Sequence, residues 1–293
     1  MNFTLVSGTG NNFALFDGYG GQLPSDPSEA ARELCNGPLA GRARLDVAVP
    51  EAFRLDGILL LLRPRETGYC RMVVYNADGS RPESCGNGLR CIAMLARARG
   101  YVLGDEFSIE TDAGVRSARV IREPSGKESA PIVGAEISMG EPRVEERRVT
   151  LKTAHGAIEA TLIDLGNPHC VVFVRDERET PVAQLGPEIE RHRHFSSRTN
   201  VEFVAVRPAG LDMRVWERGV GETQACGTGA CAAAVAAVVT QRASTPIDVR
   251  MPGGLLHVVW DAPGAQVRLS GACELLGTGA WRPTAAVVQR ALS

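Results

Sequence analysis

Two stretches 141 residues apart carry one design. Cys85-Gly86-Asn87-Gly88 and Cys226-Gly227-Thr228-Gly229 each stand where a polar turn gives way to a helix of small and apolar residues. The correspondence extends ahead of the cysteines: Met72, Val74, Tyr75 and Asn76 fall at the same offset from Met213, Val215, Trp216 and Glu217. Two looser echoes precede them. Gly10-Asn11 before the apolar run 13–16 matches Gly166-Asn167 before 170–173, and Asp56 before 58–60 matches Asn200 before 201–203. The shared order implies an internal duplication, and hence two similar domains.

Periodicity and breakers predict strands at 3–6, 13–16, 45–49, 58–62, 69–75, 107–110, 115–122 and 135–139 in the first half. The second half repeats the style at 147–151, 156–164, 169–175, 201–207, 211–216, 247–250, 255–260, 266–270 and 272–277. Helices are expected at 28–35, with Ser28 as N-cap, at 87–100, 182–191 and 228–242. Many strands with one long helix per half, and no regular βαβ alternation, predict an α+β fold. The Pro-, Ser- and Gly-containing stretch 123–131 is the expected linker, dividing the chain into domains 1–127 and 128–277. The tail 278–293 is expected to return to the first.

Composition narrows the chemistry. A net charge of −2 gives no reason to expect nucleic acid or an anionic membrane as partner, and no apolar run reaches a membrane span. The start, Met1-Asn2-Phe3-Thr4-Leu5, has no basic segment before an apolar one, so a cytoplasmic protein with reduced thiols is expected. Of the eight cysteines, Cys35, Cys70, Cys170 and Cys273 read as buried packing residues, and Cys91 and Cys231 as packing inside the helices. The pairs Cys85/Cys91 and Cys226/Cys231 lack zinc-site spacing, so no metal is expected. The two lysines, Lys127 and Lys152, lie in no obvious site, which argues against a Schiff-base cofactor.

Cys85 and Cys226 are different. The first N–H groups of a helix lack partners and carry partial positive charge, which binds anions and lowers the pKa of a nearby thiol. Each thiol is therefore expected to be partly activated. If the duplicated domains face each other, one thiol can remove a proton from one face of a carbon while the other delivers one to the opposite face. The N–H groups of the two Gly-x-Gly turns would hold a carboxylate and stabilise the charge that grows on it. Taken by itself, His169 reads as a strand-end residue that could tune one thiol, and Glu217-Arg218 as an exposed ion pair brought toward the site by its place nine residues before Cys226.

These motifs identify a family. Asn76-Ala77-Asp78-Gly79-Ser80, Cys85-Gly86-Asn87-Gly88, Gly166-Asn167-Pro168-His169, Glu217-Arg218-Gly219 and Ala225-Cys226-Gly227-Thr228-Gly229 resemble the diaminopimelate epimerases, over essentially the whole chain. Proline racemases share the cysteine pair but have Cys-Gly-His at the first site, where this chain has Cys85-Gly86-Asn87. The resemblance implies two pseudo-symmetric domains, each a mixed sheet curled into a barrel-like shell around a central helix, usually in a homodimer. It implies cofactor-independent interconversion of LL- and meso-diaminopimelate for lysine and peptidoglycan synthesis, with Cys85 and Cys226 as acid and base. His169 and Glu217 would assist the thiols. Asn11, Asn76, Asn167, Asn200, Glu217 and Arg218 would bind substrate. Gly86, Asn87, Gly227 and Thr228 would hold the reacting carboxylate, Asn76, Asn200 and Arg218 the distal one, and Glu217 the distal ammonium. Two departures stand out: Ser7-Gly8-Thr9-Gly10-Asn11-Asn12 where the family has His-Gly-x-Gly-Asn-Asp, and Arg54-Leu55-Asp56-Gly57 where it has Gly-Ala-Asp. A racemase of another amino acid, such as histidine, and a non-enzymatic binding module are the alternatives.

One test follows from composition. Exchange of the substrate α-hydrogen should persist without pyridoxal phosphate and after treatment with a chelator. Activity lost to the chelator and restored by zinc would overturn the cofactor-free reading.

Overall fold

The computed structural model describes residues 1–65, 69–125, 127 and 129–283. Of the linker, residues 126 and 128 lie outside the described residues, as do residues 284–293 of the tail. The chain divides into two compact units, Met1–Ile137 together with the chain from Ala272 on, and Ser138–Gly271.

In chain order the first unit holds β1 (Asn2–Gly8), β2 (Asn11–Asp17), α1 (Pro27–Cys35), β3 (Arg44–Leu45), β4 (Gly57–Leu62), β5 (Cys70–Asn76), α2 (Gly86–Ala98), β6 (Glu106–Thr111) and β7 (Gly114–Arg122). β8 (Ile132–Gly140) leaves it. The second unit holds β9 (Arg143–Thr153), β10 (Gly156–Asp164), β11 (Pro168–Val174), α3 (Val182–Glu190), β12 (Asn200–Arg207), β13 (Gly210–Glu217), β14 (Gly221–Thr223), α4 (Gly227–Val239), β15 (Ile247–Met251) and β16 (Gly254–Val259). β17 (Val267–Ala280) begins in the second unit and ends in the first.

The duplication is visible in the pairing. In the first unit the strands pair in the order β17, β1, β2, β4, β5, β6, β7, β8. Successive pairs are antiparallel, antiparallel, parallel, antiparallel, parallel, antiparallel and antiparallel. In the second unit β9, β10, β11, β12, β13, β15, β16 and β17 give the same series. The fold is α+β, two units of one plan, each a mixed sheet curled as a shell around a central helix.

The central helices are buried on every side. All residues from Gly86 to Ala96 of α2 are buried, and so are Gly227 and the run from Gly229 to Ala237 of α4. α4 packs on β9, β10, β11, β12, β13, β15 and β16, which explains its composition: alanine is the best helix former and the smallest residue that still fills space. Strand alternation gives the shell two apolar faces. Ile58, Leu60 and Val73 turn outward to a core with Ala30, Ala31 and Leu34 of α1, while Leu59 and Met72 lie beside Gly88 of α2. In the second unit Val201 and Phe203 turn outward to Val182 and Ile189 of α3.

Several sequence expectations shift. Asp26, not Ser28, caps α1: its carboxylate accepts the Glu29 N–H at 3.0 Å and Pro27 occupies the first helical turn, where its missing donor costs nothing. Ser28 instead donates to the Gly79 carbonyl at 2.7 Å. The strand expected at 45–49 shrinks to Arg44–Leu45. The two strands expected at 266–270 and 272–277 are one strand of 14 residues, β17, with Gly271 inside it. The second echo is also displaced by one residue. Gly57 stands opposite Asn76, and Val201 opposite Trp216 sets Asn200 opposite Glu217. The counterpart of Asn200 is therefore Gly57 and not Asp56.

If α4 has no free face, Ala233→Leu must overpack the shell although leucine is a good helix former. We expect a loss of about 1–3 kcal/mol in urea-unfolding free energy. A neutral effect would show that the helix has room on one side.

Candidate active site

In the first unit the turn after β5 is set by Asn76. Its N–H donates to the Ser80 carbonyl at 2.9 Å, and its side-chain amide to Ser80 Oγ at 3.0 Å. Asp78 accepts from Ser80 N and Oγ at 2.8 and 2.6 Å, and Gly79 takes the positive φ (81°) that closes the turn. The chain then reaches Cys85 in an extended conformation (φ −146°, ψ 113°), and Sγ accepts the Gly88 N–H at 3.4 Å. The sulfur thus occupies the N-cap role that Ser or Asp usually fills. Asn87 lies beside it and donates through its side chain to Asn11 Oδ1. The Asn87 oxygen accepts at 2.7 Å from Arg90, which is fully buried one turn into the helix.

The second unit repeats the cap. Cys226 is extended (φ −133°, ψ 113°) and its Sγ accepts the Gly229 N–H at 3.4 Å. Thr228 Oγ1 is 3.5 Å from Sγ, and Asn167 Nδ2 donates to that hydroxyl at 3.4 Å. Asn167 Oδ1 faces His169 Nε2 at 3.1 Å, so Nε2 carries a proton. On the other side of the ring Nδ1 is 2.7 Å from Glu202 Oε1, and both side chains are fully buried. The second oxygen of Glu202 has no hydrogen-bond partner among the described residues. Gly229 is required here, because a Cβ on it would come within 2.9 Å of Glu202 Oε1.

Electrostatics reverses one expectation. Burial pushes the Cys226 thiol well above the usual range, and the carboxylates of Glu217 and Glu202 push it further; the Thr228 hydroxyl and the Gly229 N–H oppose this without overcoming it. Desolvation and two nearby carboxylates thus raise the thiol although it stands at a helix N-terminus. Burial raises Glu202 as well, against the lowering effect of His169.

The remaining residues lie at strand ends. Glu217 ends β13 and accepts from Thr223 Oγ1 at 2.5 Å. Asn200 opens β12; its oxygen accepts the Arg218 N–H at 2.9 Å and its nitrogen donates to the Pro168 carbonyl at 3.0 Å. The exposed Arg218 guanidinium donates to the Ser197 carbonyl at 3.1 Å and pairs with no carboxylate among the described residues. No group of three or more His, Cys, Asp or Glu among the described residues is arranged to hold a metal.

The family model for diaminopimelate epimerase matches residues 3–144 and 161–276. The chain belongs to the diaminopimelate epimerase family. Relatives bearing that name include one from Desulforudis audaxviator, 40% identical over 96% of this chain and 99% of its own. Another, from Geobacillus kaustophilus, is 37% identical over 96% of each chain. Among solved structures, a probable proline racemase from Agrobacterium radiobacter K84 is similar with a TM-score of 0.69 at 17% identity, covering 99% of this chain and 95% of its own. A phenazine biosynthesis protein of the PhzF family from Bacillus anthracis has a TM-score of 0.70 at 14% identity, covering 96% of this chain and 99% of its own. At such identities these two share the fold.

Within each unit the structure gathers the residues that the family resemblance marks. Cys85, Asn87 and Asn11 cluster in the first, with Asn76 at the turn ahead of the cysteine. Cys226, Thr228, Asn167 and His169 form one chain of contacts in the second, with Asn200 on Arg218. Two residues escaped the sequence reading, Glu202 and Arg90. Each left a signal: a single charge at a buried position of an otherwise apolar strand, and a single charge on the buried first turns of a helix.

The contrast between the cysteines can be measured. Cys226 is a buried thiol held protonated, whereas Cys85 is partly exposed. Limiting iodoacetamide near neutral pH should label Cys85 first, read by peptide mapping. Faster labelling of Cys226 would contradict this difference in burial.

Proposed function

We propose that the protein interconverts LL- and meso-2,6-diaminopimelate by moving a proton at one α-carbon between the sulfurs of Cys85 and Cys226. The observation that carries this reading is the matched pair of N-cap cysteines, extended at ψ 113° in both, each with its sulfur on the N–H three residues on. One sulfur, as thiolate, takes the α-hydrogen; the other, as thiol, delivers a proton to the opposite face. After each turnover the two protonation states are exchanged, and no electrons leave the system. The raised Cys226 thiol suits the donor at the start of one direction, and Glu217 and the His169–Glu202 pair beside it are the groups that can tune it.

Loss of the α-proton puts negative charge on the adjacent carboxylate. The N–H groups of Gly86, Asn87, Gly227 and Thr228 open the two helices and are free of intrahelical bonds, so they can receive that charge. Asn11 and Asn167 support the same ends. Arg218, with Asn76 and Asn200, is assigned to the distal carboxylate, and Glu217 to the distal ammonium. The reaction needs neither pyridoxal nor metal, and its product serves lysine and peptidoglycan synthesis in the cytoplasm, with a homodimer as the working form.

The test is α-hydrogen exchange and epimerisation in D₂O over a panel of amino acids. Diaminopimelate should exceed lysine, glutamate and histidine by a large factor in kcat/KM, because each missing distal group leaves site groups unpaired at about 1–3 kcal/mol each. Arg218→Lys should also lower kcat/KM strongly, since lysine keeps the charge and loses the two-pronged grip. Equal rates with histidine, or a near-normal Arg218→Lys enzyme, would favour a racemase of broader substrate range.

A further inference from the structure

We propose that Arg90 is a positioning residue, which fixes the direction of the two side-chain amides, Asn87 and Asn11, assigned to the substrate. That assignment rests on the proposed activity; the positioning itself rests on geometry. Arg90 lies in α2 with no exposed surface. Its Nη2 donates to Asn87 Oδ1 at 2.7 Å and to Thr9 Oγ1 at 2.6 Å, and its Nη1 to the Gly86 carbonyl at 3.3 Å.

A guanidinium can only donate. The Asn87 amide must therefore turn its oxygen toward Arg90 and its nitrogen away, and that nitrogen donates to Asn11 Oδ1. The Asn11 nitrogen is then turned away from Asn87. Two amides thus lie in series from a buried cation, both donating in one direction. Reversing Asn87 sets donor against donor at Arg90 and acceptor against acceptor at Asn11, and reversing Asn11 sets two N–H donors against each other. Arg90 also ties down the parts beside the relay: Thr9, in a positive-φ conformation (48°) between Gly8 and Gly10, and the carbonyl of Gly86, the residue after Cys85.

Packing alone does not call for a cation here. The equivalent place in the second unit, at the same offset as the cysteines, is held by the small, uncharged Cys231, which is fully buried. Burying a charge costs free energy that an apolar residue avoids. The cation is retained for what it orients.

The test compares wild type with Arg90→Met, Asn87→Ala and the double variant by two measurements. The first is hydrogen exchange of the Asn87 side-chain amide in the substrate-free protein, read by NMR. It should speed up by about tenfold in Arg90→Met, the equivalent of one lost hydrogen bond. The second is kcat/KM for diaminopimelate. It should fall about 100-fold in Arg90→Met, the scale of a displaced positioning group, fall in Asn87→Ala too, and fall no further in the double variant, because Arg90 acts through Asn87. Unchanged amide exchange in Arg90→Met, a near-normal rate in either single variant, or penalties that multiply would overturn the proposal. If Arg90→Met does not fold, Arg90→Lys enters the same cycle, with the same outcomes deciding. Wild-type protein without epimerase activity but with Arg90-dependent amide exchange would remove the proposed reaction and leave the relay standing.

Discussion

A sulfur atom used as a helix cap is the constraint on which each unit depends. A capping side chain must accept a first-turn N–H, and thiol sulfur is a weak acceptor compared with the oxygens of Ser or Asp. The contacts at 3.4 Å from Gly88 and Gly229 are ordinary for the larger sulfur atom and hold the N–H less strongly than an oxygen would. The helix start is therefore under-capped by design, and its other first-turn N–H groups stay open for a ligand. A helix with so weak a cap needs support from elsewhere. Burial supplies it: α2 and α4 are surrounded by their sheets and do not rely on local capping to persist.

The two units solve the next problem differently. Both must orient a polar side chain beside the capping sulfur, Asn87 in one and Thr228 in the other. In the first unit a buried cation, Arg90, anchors the network from within the helix. In the second a buried carboxylate, Glu202, anchors it from the strand through His169 and Asn167. The sign of the anchor matters to the chemistry. Carboxylates close to Cys226 disfavour its thiolate, and they do so in a dry place where the effect is least screened. In the proposed reaction one sulfur starts as a thiol, and the surroundings of Cys226 favour that state in the substrate-free protein.

Much of this was legible in the sequence, for a physical reason. A cysteine followed by Gly-x-Gly at a strand-to-helix turn has few structural explanations, and two of them at one offset in matched surroundings have fewer. What was not legible follows from the limits of the same reasoning. Asp26 and Ser28 both suit an N-cap, and only the turn at Gly79, which binds Ser28, decides between them. The strand expected at 45–49 has the right residues but pairs over Arg44–Leu45 alone. The pairing of Asp56 with Asn200 failed by one residue because it compared apolar runs without their register, and in a strand one residue is a change of face. Arg90 and Glu202 went unread because charged residues are read as solvent-facing unless something nearby can satisfy them. Thr9 lies 81 residues from Arg90, and His169 lies 33 from Glu202 on another strand.

The register also shows how one half came to differ from the other. With Gly57 matched to Asn200, Leu59 takes the place of Glu202 and Phe13 the place of His169. The neighbours agree: the Cβ absent from Gly88 would meet Leu59 at 2.8 Å, and the one absent from Gly229 would meet Glu202 at 2.9 Å. An apolar pair in one unit is thus an ionisable pair in the other, at the same two positions under the same helix start. Neither change is tolerable alone. A glutamate buried against phenylalanine, or a histidine against leucine, leaves an unpaired polar group in the core, whereas breaking a buried pair costs about 3–5 kcal/mol. The two substitutions satisfy each other with a 2.7 Å contact and leave one carboxylate oxygen over. That remaining oxygen is the part of the pair that packing does not explain. Glu202 raises the thiol of Cys226, an effect that the hydrocarbon pair of the first unit cannot have.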